Sequence, residues 1–318
     1  MRHVLFVLLA SLCFGTTGTA AALGPDAGAL SVGAARIIIG GGALAAVAWF
    51  LARRRRATRA ADATSVTLPL VDSPRLDSPV HRLPVWAVIT LGAAGVVAYQ
   101  PSFFAGTSAN GVAIGTVVAL GSAPVLTGAL DWIIYRRFPG MWWLVATTIA
   151  TTGVVVLGVA GSGEGIVSAD PLGLLASLGA GLSYAVYTLA GKELIGRGWN
   201  STTSMGSLFG WAAAASIPIL LLTDIAWLAT VDGALMALWL GLVTTTLAYV
   251  LFGLGLAALR ASTVATLTLA EPLTASTLGF LVLGERLAPL AVVGLVILAL
   301  GIVVLTVGSS RSKARLNA

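Results

Sequence analysis

The chain has 318 residues, of which 58% are hydrophobic and only 9% charged. A soluble domain carries about 25% charged residues, so this composition excludes a water-soluble globular protein. The net charge of +6 does not mark a partner of nucleic acid, because the basic residues are sorted between apolar runs rather than gathered on one surface segment.

A bilayer core about 30 Å thick needs ~20 apolar residues per helix. Ten runs meet that demand, at 3–22, 31–52, 83–100, 111–130, 141–160, 172–191, 203–223, 234–257, 262–283 and 287–307. The first, with Arg2, an apolar stretch from Val4 to Phe14 and small residues at Thr19, Ala20 and Ala21, also resembles a secretory signal. Its match to an internal run, given below, favours a retained span. Residues 53–82 form the longest connection, rich in Arg, Asp, Ser, Thr and Pro, and read as a flexible cytoplasmic linker. Its Arg53–Arg56 run serves as an orientation signal and suits anionic headgroups. The remaining loops are short, and residues 308–318 read as a cytoplasmic tail. With both termini inside, the inner segments hold 16 of the 18 basic residues, as the preference of cytoplasmic loops for Lys and Arg requires. Only Arg36 and Arg286 fall elsewhere. The many glycines, including Gly40-Gly41-Gly42 and Gly111-x-x-x-Gly115, read chiefly as helix-packing sites.

The chain repeats itself. Leu8-Leu9-Ala10-Ser11-Leu12 recurs as Leu174-Leu175-Ala176-Ser177-Leu178, Ala98-Tyr99 as Ala248-Tyr249, Pro124 as Pro272, and Pro139 as Pro289. Five spans per half invert the second copy in the bilayer. The expected fold is an all-α polytopic membrane protein of ten transmembrane helices arranged as two inverted five-helix repeats, residues 1–160 and 170–307. Inverted repeats that meet at the bilayer midplane are the architecture of carriers.

Polar groups inside lipid are costly and mark function by default. Glu271 lies near the middle of the ninth span and Arg36 about one turn into the second. Desolvation disfavours a charged carboxylate, so Glu271 is a candidate for exchanging a proton, or else a neutral carboxyl that joins helices. Arg36 suits a substrate carboxylate, a loop acid such as Asp26, or headgroups. Pro124 and Pro272 remove matched backbone N–H groups and are read as paired helix breaks, which point to a binding site. Tyr99, Gln100, Tyr184, Tyr187, Tyr249 and Trp239 supply rings with polar tips for an amphipathic metabolite. Tyr99 and Gln100 are placed near the outer end of the third span, where interface anchoring competes. Trp86, Trp142, Trp143, Trp199 and Trp227 are read as such anchors. Thr244-Thr245-Thr246 either lines the pathway or bonds back to its own helix. One cysteine, Cys13, and two histidines, His3 and His81, provide no metal cluster and no nucleophilic triad, so neither a cofactor nor an enzyme is expected.

Residues 269–275, Leu-Ala-Glu-Pro-Leu-Thr-Ala, followed by Leu283-Gly284-Glu285-Arg286-Leu287, resemble the Glu-Pro and Leu-Gly-Glu signature of the EamA domain in the drug/metabolite transporter superfamily. Ser183–Leu189 is similar to that family's first helix of the second repeat, and Arg36 to the arginine common in its second helix. The resemblance implies a multi-pass plasma-membrane carrier that moves a small metabolite, an amino acid or related compound, by alternating access, with export as the expected direction. It makes Glu271, Pro272, Tyr249, Tyr184, Pro124 and Arg36 pathway candidates. Its partners would be a small-molecule substrate, the lipid bilayer and, as a candidate coupling ion, the proton. A multidrug or amphipathic-cation efflux carrier and a channel-like or non-transporting membrane protein stand as alternatives. The first half departs from the signature: Ala123 precedes Pro124 where the second half has Glu271, and Asp131–Arg137 stands in place of a Leu-Gly-Glu equivalent.

Overall fold

Nine helical stretches among the described residues are long and apolar enough to cross a membrane, and a backbone break at Gly111 divides the longest, Val85–Tyr135, into two. The computed structural model describes residues 2–62, 79–161 and 170–316, which contain no strand. The expectations for linker residues 63–78 and for tail residues 317–318 lie outside the described residues. The helices are α1 (Arg2–Leu23), α2 (Ala29–Asp62), α3 (85–110), α4 (112–135), α5 (Met141–Gly161), α6 (Pro171–Gly196), α7 (Ser201–Leu221), α8 (Val231–Ala258), α9 (Ala261–Val282) and α10 (Pro289–Leu316).

Several helices outrun the lengths that lipid demands. Helix α2 continues through the arginine run, because Ala and Arg are strong helix formers. There Arg53 and Arg54 lie 3.9 and 4.5 Å from the ring centroids of Trp49 and Phe50. Pro79–Arg82 forms a 3₁₀ turn ahead of α3. Helix α3 passes through Pro101 to residue 110, which moves Tyr99 and Gln100 from the expected outer end to mid-helix.

Gly111 takes φ 79° and ψ 156°. A side chain there would meet nothing within 4 Å, so the requirement is conformational, and the packing role expected of it does not hold. That backbone region belongs essentially to glycine and costs other residues about 1–3 kcal/mol. Gly111→Ala is therefore expected to destabilise the detergent-solubilised protein by about 2 kcal/mol in thermal unfolding. Gly42→Ala, in a helix with equally open space, is expected to gain about 0.5–1 kcal/mol.

Equivalent helices of the two halves pair: α2 with α7, and α5 with α10. Glycines let these pairs meet at the backbone. Gly41 rests on the Phe209 carbonyl, Gly206 on that of Leu44, and Gly153 and Gly294 face each other across α5 and α10. In lipid, such close van der Waals approach replaces the hydrophobic drive. The first helix of each half is exchanged. Helix α6 packs against α3 and α4 in the most extensive contact of the fold, and α1 packs against α8 and α9. The result is two mixed trios, α3/α4/α6 and α1/α8/α9, facing each other across a central seam.

Two tryptophans read as interface anchors are internal joints. Trp143 is buried and donates its Nε1–H to Ser262 O and Thr266 Oγ1, both at 3.1 Å. Trp227 is buried and donates to Ser31 Oγ at 2.9 Å. An indole N–H inside a bundle needs an acceptor, and the Ser and Thr residues that supply one lie far away in sequence. Trp86 and Trp142 are exposed, as anchors require.

Candidate functional site

The seam encloses a cavity of about 60 Å³ lined from seven helices. Phe14 comes from α1, Arg36 from α2, Tyr99 from α3, Leu120 and Ala123 from α4, Tyr184 and Tyr187 from α6, Tyr249 from α8, and Thr268, Leu269 and Glu271 from α9. Six of the eight polar and aromatic pathway candidates singled out from sequence therefore share one cavity. Two do not. Gln100 lies against Gly33 in a small crevice between α2, α3 and α7. Trp239 lies in an apolar groove of about 430 Å³ at the ends of α1, α8 and α9, where its Nε1–H donates to Thr16 Oγ1 at 3.0 Å. Helical periodicity places a residue on a face without saying which neighbour that face meets, which is why both were grouped with the others.

Helix α8 carries the least regular backbone of the site. Trp239–Leu247 winds as a π-helix between two α-helical limbs, Val231–Leu238 and Ala248–Ala258. The three threonines sustain it. Thr244 and Thr245 donate their hydroxyls to the Leu240 carbonyl at 2.8 and 3.0 Å, and Thr246 donates to Gly40 O on α2 at 2.9 Å. Arg36 completes the arrangement: its Nε donates to Thr245 Oγ1 at 3.0 Å and its Nη2 to Thr244 O at 3.2 Å. Of the two expectations for the threonines, the bond back to their own helix holds; none of the three is among the residues lining the cavity, which they reach only by holding its arginine. π-Helical turns are rare and occur frequently at functional sites.

Helix α9 is interrupted beside Glu271. Ala261–Leu267 is α-helical, Thr268–Ala270 tightens to 3₁₀, and a second limb runs from Glu271 to Val282 with Pro272 in its first turn. Pro272 lacks the N–H that would reach the Thr268 carbonyl. That carbonyl accepts instead from the Glu271 N–H, so the proline does not leave it free. Around Pro124 the helical dihedrals are unbroken, and the interruption in that half falls at Gly111. The matched prolines therefore act differently: Pro272 marks a change of helix type next to the cavity, while Pro124 is buried inside a continuous helix.

Hydrogen bonds across the seam close the cavity. Tyr184 OH pairs with Thr268 Oγ1 and Tyr187 OH with Tyr249 OH, each at 2.9 Å. Tyr249 also packs on Phe14 and Phe209, with centroids 5.1 and 4.0 Å away. Among the described residues, Glu271 accepts no protein hydrogen bond and forms no ion pair within 4.0 Å, although Arg36 lines the same cavity. A carboxyl and a guanidinium that share a cavity without touching leave space for a ligand group or water between them. Sequence reasoning missed Phe14, which looks like any other core aromatic. The expected span 172–191 also stops short of Lys192 and Glu193, although α6 extends to Gly196.

The model of the EamA-like transporter family matches residues 1–159 and again residues 171–307. The "Uncharacterized transporter YwfM" of Bacillus subtilis (strain 168) is 36% identical over 313 residues, which cover 98% of this chain and 96% of that protein. A protein solved by crystallography superposes with a TM-score of 0.74 at 19% identity, covering 97% of this chain and 98% of that one, which shows a shared fold alone. The two successive matches fall on the two halves already traced through the seam, and the chain is a multi-pass membrane protein that belongs to the EamA-like transporter family.

Proposed function

We propose that the protein is a secondary carrier of the plasma membrane that exports a small metabolite, an amino acid or related compound, by alternating access. The observation that carries this reading is the gathering of Arg36, Glu271 and four tyrosines on one enclosed cavity at the seam between the two trios. An amino acid presents a carboxylate, an ammonium and an apolar side chain, which complement a guanidinium, a carboxylate and aromatic rings in turn. At about 60 Å³ the cavity holds a few waters, whereas ligand pockets measure about 300–1,000 Å³. Substrate entry therefore requires the trios to part, which is the motion alternating access needs. In this reading residues 1–160 and 170–307 are the two inverted repeats, both chain ends face the cytoplasm, and Glu271 couples transport to protons.

The test is counterflow in proteoliposomes loaded with one unlabelled solute and supplied with its labelled form. Amino acids, nucleosides and amphipathic cations are tried in turn. Saturable counterflow, with amino acids as the best competitors, is expected. Amphipathic cations as the best competitors would replace the substrate reading with drug efflux. Flux that rises linearly without saturation would replace the carrier with a channel.

A further inference from the structure

An ion pair and two further side-chain hydrogen bonds converge on one buried group at the linker end of the bundle. Glu193, 2% exposed, accepts from Arg197 Nε at 2.9 Å and from His81 Nδ1 at 3.1 Å. It also accepts from Tyr135 OH at 2.9 Å. These contacts tie the end of α6 to the end of α4 and to the turn that precedes α3, all on the α3/α4/α6 side of the seam. Its neighbour Lys192 points across the seam instead. Successive helical residues are rotated by about 100°, so the pair reaches two different partners. Lys192 Nζ donates to Leu256 O at 2.7 Å and to Leu259 O at 2.8 Å. Those carbonyls end α8, where the helix dipole favours a cation.

Other bonds cross between the trios at the same level. Ser262 Oγ on α9 donates to Asp131 Oδ2 on α4 at 3.5 Å. Arg260, just ahead of α9, donates to Phe138 O in the turn after α4 at 2.8 Å. The Tyr184–Thr268 and Tyr187–Tyr249 pairs cross at the cavity itself. Among the described residues, no hydrogen bond joins the two trios on the far side of the cavity. There the Asn110 and Asp170 contacts stay within one trio, and the Trp239–Thr16 bond stays within the other.

We infer that Lys192 is the bolt of a seal closing the linker end of the cavity, anchored on its own trio by Glu193, and that the cavity opens first toward the opposite face. This rests on the alternating-access reading. Before the linker end can open, the Lys192 ammonium must leave both α8 carbonyls. The adjacent Glu193 cluster keeps the end of α6 fixed to its own trio, so that the trio moves as a unit.

The test measures accessibility rather than transport. In a Cys13→Ser background, Ala123→Cys places a thiol on the cavity wall, and a membrane-impermeant maleimide is applied to either face of oriented vesicles. Labelling is expected mainly from the face opposite the linker. Lys192→Met removes the bolt and is expected to raise linker-face labelling by about tenfold, the loss of a charge-assisted hydrogen bond. Lys192→Arg, which keeps a cationic donor, is expected to restore the original ratio. Lys192→Gln, with a neutral donor, should fall between and gives a second measurement should the methionine variant not accumulate. An unchanged ratio in both neutral variants, or an arginine variant as open as methionine, overturns the assignment. Because labelling needs no substrate, failed counterflow together with a shifted ratio counts against the substrate reading alone, and the converse counts against the seal alone.

Discussion

Glu271→Gln is expected to slow counterflow by about a hundredfold, equivalent to ~2.7 kcal/mol of transition-state free energy, and to flatten the pH dependence of what remains. The side chain lines the central cavity and opens the second limb of α9. Free N–H groups at a helix N-terminus favour a negative charge there, by about 0.3–1 kcal/mol at exposed sites and up to ~2 kcal/mol when partly buried. That term is small beside the cost of an unpaired ion away from water. Among the described residues Glu271 has no protein donor and no cation within 4.0 Å. Arg36 shares the cavity but does not touch Glu271, so either a cationic group of the substrate enters as a direct partner for the ionised form or a proton neutralises it. Gln keeps the shape and hydrogen-bonding capacity but can do neither. A purely structural role predicts the reverse: lost thermal stability in Glu271→Gln, with the transport rate and its pH profile intact. Measuring rate, pH profile and melting temperature on the same preparation separates the two.

Lipid makes much of this fold legible in the sequence. A backbone in hydrocarbon must satisfy its own hydrogen bonds, so a run of ~20 apolar residues is a helix almost by necessity, and the repeat in Pro, Tyr and Leu positions divides the ten into fives. Helix ends were harder. Nothing apolar distinguishes residues 101–110 as helix, yet the helix runs on to Gly111, where backbone conformation rather than polarity ends it. Lys192 and Glu193 fall just outside the expected span 172–191 because charge normally marks a helix end. They stay helical because Glu193 finds three donors and Lys192 two helix-end carbonyls. The exchange of first helices between halves was not legible at all, since a spacing along one chain does not name the partner of a face. For the same reason Gln100 and Trp239 could not be separated from Tyr99 and Tyr249. Arg36 and Glu271 were conspicuous because each is a charge inside an apolar run, and both line the cavity. The π-helix that holds Arg36 was hidden in three threonines whose hydroxyls had equally good uses elsewhere.

Arg36→Ala is expected to reduce transport by at least about tenfold and to destabilise the protein by about 2 kcal/mol, the cost of stranding a buried polar partner. The reason lies in α8. Arg36 supplies the donor for the Thr244 carbonyl and a second bond to Thr245 Oγ1. Without them, the π-helical segment loses the outside contacts that hold its wider turn, and relaxation to an α-helix becomes favourable. Each residue of an α-helix rotates about 100° from the last, so even a one-residue change of register upstream swings Tyr249 away from Tyr187 and from the cavity wall. Arg36→Lys separates geometry from charge. An ammonium on a flexible stem keeps the cation but lacks the planar fork that reaches both threonines, so it should recover less than half of the lost stability and little of the transport. Thr245→Val removes only the side-chain acceptor and should cost less than either. Full rescue by lysine in both assays would mean that Arg36 acts as a point charge on the substrate and that the π-helix holds its shape alone. Partial rescue of stability with transport still lost would place the guanidinium fork itself among the groups that set the cavity's shape.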